Sequence, residues 1–309
     1  MKRGALSFFF NARVFNLKPL PRETSMEIFL GPFNTQLERP QTLKFACPIM
    51  LIPELFASAR HLAILAGYLA SIGWEVYVPD LRNGAPNENP SAPDANSFAS
   101  DRTGFAGALK LAEKALAALG RDAIVLGHGV GGLMALALAE RPNVKAGVAF
   151  APLVPGYRSP LWMRAGNLLA LWRGLPLKPP TRRMLFELFA DAEPFQRDNL
   201  IKALAPGSAQ IARDVMRGEC GFAQGRTTAM RLIIAGDCDV FAPHDRVARF
   251  AGEIGAQIAT LNGRGHWIIA GRALERAITH TQRFIVRALG EELLMLYGSG
   301  SDENGGKDS

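Results

Sequence analysis

The chain predicts an α/β fold built on a doubly wound, mostly parallel sheet, and three observations carry that prediction. Apolar runs and amphipathic helical stretches alternate strictly from Ile49 to Phe150, the pattern of parallel strands joined by crossover helices. At the centre of that run, Ala123 to Glu140 (AIVLGHGVGGLMALALAE) passes from a buried-strand pattern through Gly127, Gly129, Gly131 and Gly132 into an Ala- and Leu-rich helix. After a long helical stretch, strand and helix alternate again from Arg231. A chain of 309 residues, 48% hydrophobic and 20% charged, is long enough to bury a full core.

In chain order, Met26 to Phe33 and Leu43 to Ala46 read as early antiparallel strands joined through a polar turn at Asn34 to Pro40. Ile49 to Ile52 is short and wholly apolar, as a central parallel strand requires. The loop Pro53 to Ala59 leads to an amphipathic helix from Arg60 to Ile72, stopped by Gly73. Trp74 to Val78 is the next strand. Asn83 to Asn96 reads as a surface loop rich in Pro, Asn and Ala, and Phe98 to Leu119 as a helix ended by Gly120. Ala123 to Leu126 is the strand that enters the glycine turn; the helix after it runs from Leu133 to Glu140, and Val144 to Phe150 is a further buried strand.

Between Pro152 and Met230 the strand signal disappears. Four helical stretches, Leu161 to Trp172, Thr181 to Ala190, Arg197 to Leu204 and Ser208 to Gly218, are separated by Pro and Gly. The sheet resumes at Arg231 to Ala235, followed by a helix at His244 to Ile254, a strand at Gln257 to Leu261 and a last helix at Arg272 to Leu289. The organisation expected is therefore an arm at 1–25, a core at 26–151 and 231–297, a helical insertion at 152–230 and a disordered tail of Gly, Ser and acidic residues at 298–309.

The formal charge of +7 is concentrated at one end. Lys2, Arg3, Arg13, Lys18 and Arg22 all precede the first acidic residue, Glu23, and the remaining body is nearly balanced. No nucleic-acid motif accompanies this surplus, and no nucleic-acid partner is expected. The arm also holds Phe8, Phe9, Phe10 and Phe15, so it reads either as packed in a groove of the domain or as a weak contact with an anionic membrane surface. No apolar run reaches membrane-spanning length, and the short stretch from Ala5 to Phe10 makes a poor signal peptide. Cys47, Cys220 and Cys238 lie far apart, without metal-ligand spacing, which points to a reduced, cytoplasmic setting. No cofactor and no metal is expected, and the oligomeric state is not legible.

Strand, tight glycine turn and helix at Gly127-His128-Gly129-Val130-Gly131 resemble the nucleophile elbow G-x-S-x-G of the α/β-hydrolase fold. The strand ending in Pro79-Asp80-Leu81-Arg82 before a glycine loop is similar to the same family. The resemblance implies that residues 152–230 form a lid, and that the acid and the base follow the nucleophile in chain order. Asp239 stands in the G-x-x-D-x-x-x-P pattern for the acid and His266 in Gly265-His266-Trp267 for the base; Asp237 is the near competitor for the acid. A histidine in that role shuttles a proton while a buried carboxylate holds its tautomer. His61 and His244 read as helix-surface residues, and His128 as a packing residue. Trp162, Met163, Leu168, Leu169, Leu171, Trp172 and Trp267 are candidates to line an apolar pocket or, alternatively, plain core.

Two departures from the family pattern meet at this site. The serine position holds Gly129, which has nothing to form an acyl-enzyme with. The loop after Ile52, where relatives carry His-Gly, reads Pro53-Glu54-Leu55. The amides of Leu55 and Val130 remain available as an oxyanion hole, with the Glu54 carboxylate beside it, and a carboxylate there opposes the field that stabilises an oxyanion. Read as independent changes, the two argue against ordinary ester hydrolysis. Ser58 and Cys238 are poor replacements because neither sits on the elbow. Three readings follow: a His266–Asp239 pair doing water-mediated or proton-transfer chemistry on a small apolar ester or carbonyl compound; a non-catalytic binding protein using the same pocket; or a serine hydrolase in which Gly129 is a sporadic or engineered replacement.

Overall fold

The computed structural model describes residues 25–83, 104–222 and 229–289. The N-terminal arm through Thr24, most of the Asn83 to Asn96 loop, the start of the Phe98 helix and the C-terminal tail lie outside the described residues. Among the described residues, eight strands form one sheet in the order β1-β2-β4-β3-β5-β6-β7-β8. They are β1 Ser25–Leu30, β2 Phe33–Glu38, β3 Ile49–Ile52, β4 Val76–Pro79, β5 Ala123–His128, β6 Val144–Phe150, β7 Arg231–Gly236 and β8 Gln257–Leu261. β1 pairs with β2, and β2 with β4, antiparallel; every pairing from β4 to β8 is parallel. The helices of the core are α1 Ala59–Ser71, α2 Phe105–Ala118, α3 Val130–Leu138, α8 His244–Glu253 and α9 Gly271–Leu289. Between β6 and β7 lie α4 Ala165–Arg173, α5 Arg182–Leu188, α6 Pro194–Lys202 and α7 Ala209–Arg217.

Chain direction across the sheet reverses between β3 and β5, because β4 lies on one side of β3 while β5, β6, β7 and β8 follow on the other. In such sheets the crevice at the carboxyl ends of the strands on either side of that reversal receives ligands. Here those ends deliver Pro53 and Glu54 from β3 and Gly129 from β5. The strands β3, β5 and β7 are buried along their whole length, as their apolar runs predict, and α3 is buried all round. Gly131 lets the first turn of α3 press against the carbonyls of Ile52 and Pro53, where any Cβ would collide with backbone.

Two expectations need correction. The hairpin turns at Gly31-Pro32, with Leu30 opposite Phe33, so the segment expected as a turn (from Asn34) is β2 itself. Gly31 takes φ +57°, and proline cannot continue a strand interior, so the pair forms a two-residue loop. Leu43 to Ala46 is not a strand; Lys44 N–H donates to the Gly73 carbonyl (3.0 Å) and Phe45 stacks on Trp74 at 3.9 Å between ring centroids.

His61 is the second correction, for it is buried rather than on a helix surface. Its Nδ1 accepts from the Ser58 N–H at 3.0 Å and its Nε2–H donates to the Leu200 carbonyl at the end of α6 at 3.0 Å. Both ring nitrogens are used by the neutral form, and burial pulls its pKa from 6.5 down to about 4. The unfolded chain therefore binds a proton that the folded chain refuses between those values, so stability falls as pH falls through this window. The loss at pH 4 attributable to this residue amounts to about 3 kcal/mol. Urea unfolding of wild type and His61→Gln at pH 7 and pH 4.5 checks this: the wild type loses more stability on acidification than the variant. His244, at the start of α8, is half-buried and pairs with Thr260 Oγ1 at 2.7 Å.

Candidate active site

Four loops at the carboxyl ends of β3, β5, β7 and β8 converge. The turn after β7 places Asp239 with Oδ1 accepting from the N–H groups of Phe241 (2.8 Å) and Ala242 (3.0 Å). Its Oδ2 accepts from His266 Nδ1–H at 2.7 Å. Asp237, the competing carboxylate, is exposed and binds the Gly263 N–H within the turn. His266 is 1% exposed, and its Nε2 faces inward with no hydrogen-bond partner. Burial alone pulls the His266 pKa down, but the charge and hydrogen bond of Asp239, then the charge of Glu54, outweigh it and hold the group above its ordinary value.

Gly129 forms the bend between β5 and α3 with φ +54° and ψ −116°, a conformation in which glycine escapes the Cβ strain of other residues. The space above it is filled. Glu54, 4% exposed, extends its carboxylate over the bend. Oε1 accepts from the Leu55 N–H at 2.8 Å and Oε2 from the Val130 N–H at 2.9 Å. These are the two amides that sequence reasoning assigns to a substrate oxyanion. A Cβ placed on Gly129 would fall onto Glu54 Oε2, far inside van der Waals contact. The two departures are thus a single packing unit and not independent: the missing side chain at 129 is the room that the carboxylate at 54 occupies. Burial raises the Glu54 pKa, opposed by the charge of His266 and the two amide hydrogen bonds.

His128, at the end of β5, is wholly buried. Its Nε2–H donates to the His266 carbonyl at 3.0 Å, which leaves Nδ1 as a bare lone pair, 4.0 Å from Glu54 Oε2 and without a hydrogen-bond partner. Burial, then the nearby charge of His266, keeps this ring neutral, with a pKa well below the ordinary value. Sequence reasoning gives it a packing role only. The signal that it faces the site lies in the fold, which brings together residues 138 apart.

A cavity of about 20 Å³, the room of one water molecule, adjoins Glu54 and is lined by Ile52, Pro53, Leu55, Leu81, Met134 and Ile211 among others. Trp162 and Trp267 are not in that lining. Trp162 is fully buried core, and Trp267 packs on His128 and Phe189 at 4.5 and 4.8 Å between centroids. Leu168, Leu169 and Trp172 of α4 point outward, Trp172 with 76% exposure. They form no pocket over the site, because the buried face of α4 is carried by Asn167, Ala170 and Leu171. Ser58, one of the weighed replacements for serine, is engaged at the start of α1 through His61, and Cys238 is exposed.

Segments from between β6 and β7 are hydrogen-bonded to the site loops. Ala205 N–H donates to the Phe56 carbonyl (3.0 Å), and Asp191 accepts from the Gly265 N–H (2.8 Å) and pairs with Arg264 (3.2 Å). Ile211 of α7 reaches the cavity beside Glu54.

Comparison with known proteins agrees with this fold. The family model described as the Alpha/beta hydrolase family matches residues 53–277. No curated protein matches the chain. Among solved structures, the chain is similar to a monoacylglycerol lipase of Paleococcus ferrophilus, with 18% identity, 82% of this chain and 98% of that one covered, and a TM-score of 0.61. It is similar to a soluble variant of monoglyceride lipase from Saccharomyces cerevisiae, with 14% identity, coverage of 85% and 94%, and a TM-score of 0.62. Est1E from Butyrivibrio proteoclasticus gives 17% identity, coverage of 86% and 99%, and a TM-score of 0.53. At these identities the likeness speaks for the fold.

Proposed function

Since the chain belongs to the Alpha/beta hydrolase family, we propose that it is a member without serine-type acyl transfer, its Glu54, His266 and Asp239 serving acid–base chemistry on a small apolar ester or carbonyl compound. One observation carries the reading: the Glu54 carboxylate lies over Gly129 with both oxygens held by the Leu55 and Val130 amides. An oxyanion forming there would meet a negative group in place of free donors, so the stabilisation that acyl transfer depends on is lost. The same fit speaks against a sporadic loss of serine, since a serine at 129 has no room while Glu54 stays.

What remains is a base. His266 Nε2 accepts a proton from a water or from the substrate, and Asp239 stabilises the imidazolium that results. The apolar lining from Ile52, Leu55, Met134 and Ile211 suits a hydrocarbon group. An apolar ester is also what the names of the two monoacylglycerol and monoglyceride lipases suggest. The hydrogen bonds from Ala205 and Asp191 to the site loops support residues 152–230 as the lid that admits it.

A second reading, a non-catalytic protein that binds a ligand or a partner, is favoured by the occupied amides, since Glu54 holds both the Leu55 and the Val130 N–H groups that catalysis would need. A panel of short-chain esters and a fluorophosphonate probe separate the two. The acid–base reading expects no probe labelling and slow turnover that His266→Ala abolishes. Full activity in His266→Ala removes the pair from the chemistry. No turnover, with thermal stabilisation by an apolar ligand, selects the binding protein; fluorophosphonate labelling of the wild type at an elbow or loop residue contradicts the proposal. No described helix is long and apolar enough to cross a membrane.

A further inference from the structure

We propose that Glu54, His128 and His266 together bind one divalent first-row metal ion, of the zinc or iron(II) kind, directly above Gly129. The inference goes beyond the acid–base reading and rests on it in one respect, that Glu54 occupies the bend; with the ion bound, His266 Nε2 is a ligand and no longer the base. In the loaded protein the ion would supply the Lewis acidity, with His266 as ligand and Asp239 as its orienting partner.

The donor set follows from the tautomers. A backbone carbonyl only accepts, so the His128 nitrogen facing the His266 carbonyl carries the proton and Nδ1 is bare. A carboxylate accepts, so His266 Nδ1 carries the proton toward Asp239 and Nε2 is bare in the neutral ring. Both bare nitrogens are buried without a hydrogen-bond partner. Glu54, His128 and His266 each offer one donor atom within 4.8 Å of the other two, and His128 Nδ1 is 4.0 Å from Glu54 Oε2. Three lone-pair donors therefore converge in a buried site. A proton on His266 Nε2 answers for one imidazole and leaves His128 Nδ1 orphaned; a cation between the three answers for all. Unpaired buried polar atoms are costly enough that two side by side call for a shared partner.

The surroundings have the form of an outer ligand shell. Metal-binding histidines characteristically donate their second N–H to a carboxylate or a backbone carbonyl, which fixes ring orientation and raises basicity. His266 does the first, through Asp239, and His128 does the second, through the His266 carbonyl. Glu54 is itself oriented by the amides of Leu55 and Val130. Two imidazoles and one carboxylate suit zinc or iron(II), with a water as the remaining ligand. Ligands at about 2.1 Å from an ion sit about 3.4 Å apart at tetrahedral angles, so a pair 4.8 Å apart must close by about 1.4 Å. Small turns of the two rings about their bonds to Asp239 and the His266 carbonyl, with Glu54 staying on its amides, supply that movement. The sequence gives no hint of this, because the three ligands come from loops far apart in the chain and match no ligand-spacing motif.

The test is equilibrium dialysis of the full chain, stripped with chelator, against Zn²⁺, with metal analysis of the protein and the visible spectrum of the Co²⁺-loaded form. The proposal expects one zinc per chain at micromolar affinity or tighter, and cobalt d–d bands of a four- or five-coordinate site without thiolate charge-transfer absorption. Glu54→Gln and His128→Asn, checked for folding by circular dichroism, lose that zinc. Asp239→Asn, whose side-chain oxygen can keep the turn, weakens binding by about 10- to 100-fold. His280→Asn, on α9, leaves it unchanged. Less than about a tenth of an equivalent in the wild type, or unaltered binding in the folded Glu54 and His128 variants, overturns the proposal. Thiolate bands would place the ion on cysteines and do the same. The fluorophosphonate result bears on the acid–base reading alone, so the two fail separately.

Discussion

Gly129→Ser is expected to destabilise the protein by about 3–5 kcal/mol and to remain unreactive toward a fluorophosphonate, although it restores the family's elbow sequence. The added Cβ takes the position of Glu54 Oε2, so the carboxylate must leave the Val130 and Leu55 amides. A buried anion then loses both of its donors, and the amides lose their acceptor, the arrangement that makes breaking a buried charged contact so costly. The residue would also carry a side chain at φ +54°. Adding Glu54→Gly removes the collision and frees both amides for a substrate oxygen. The double variant is therefore expected to recover most of the lost stability and to be labelled at the introduced serine by way of His266. Urea midpoints across the four-member cycle measure the coupling, which should far exceed the few tenths of a kcal/mol seen between sites without shared partners. A single variant as stable as the wild type and readily labelled would show that Glu54 does not hold the bend.

Arg231→Ala should cost about as much, about 3–5 kcal/mol, for a reason remote from the site. Arg231 begins β7 with its side chain almost fully buried. Nε donates to the Leu136 carbonyl at 2.8 Å, in the last turn of α3, and Nη1 to the Ile254 carbonyl at 3.0 Å, at the end of α8. Nη2 pairs with Glu140 Oε1 at 2.6 Å. One guanidinium thus satisfies carbonyls at the negative ends of two helices on the sheet and neutralises a carboxylate as well. Alanine leaves all three acceptors without that donor. Lysine, a single point donor, cannot span them and should restore little. Denaturant unfolding of Arg231→Ala and Arg231→Lys beside the wild type measures both; a loss below about 1 kcal/mol in the alanine variant would mean that the network contributes no more than a surface pair.

The sheet is legible in the sequence wherever a strand is buried on both faces. Val144 to Phe150 has in the structure the bounds that its pattern predicts, and the Ile49 run matches β3. At the edges the outcome is mixed: Gln257 to Leu261, the half-exposed strand β8, keeps its expected bounds, but the Gly31-Pro32 turn sits inside a stretch whose apolar residues continue past it, and pattern alone carries the strand through. His61 shows a related limit, since its polarity suggests solvent while α6 arrives from far along the chain to cover it. At the site, Asp239 and His266 can be named from loop position, and the structure sets them 2.7 Å apart. Gly129 and Glu54 are each recognisable as departures. That one fills the space left by the other is a matter of three-dimensional fit, which no spacing rule expresses. The α4 apolar residues read as pocket lining because helical spacing gives the stripe and not the direction it faces.

The chemistry above Gly129 turns on where the Glu54 carboxylate lies, and a high-resolution diffraction map of the wild-type chain tests that most directly. It should show the Glu54 carboxyl group above Gly129, one oxygen at hydrogen-bond distance from the Leu55 amide and the other from the Val130 amide. Glu54 turned toward solvent, with ordered water on those two amides and open space above the bend, would contradict it.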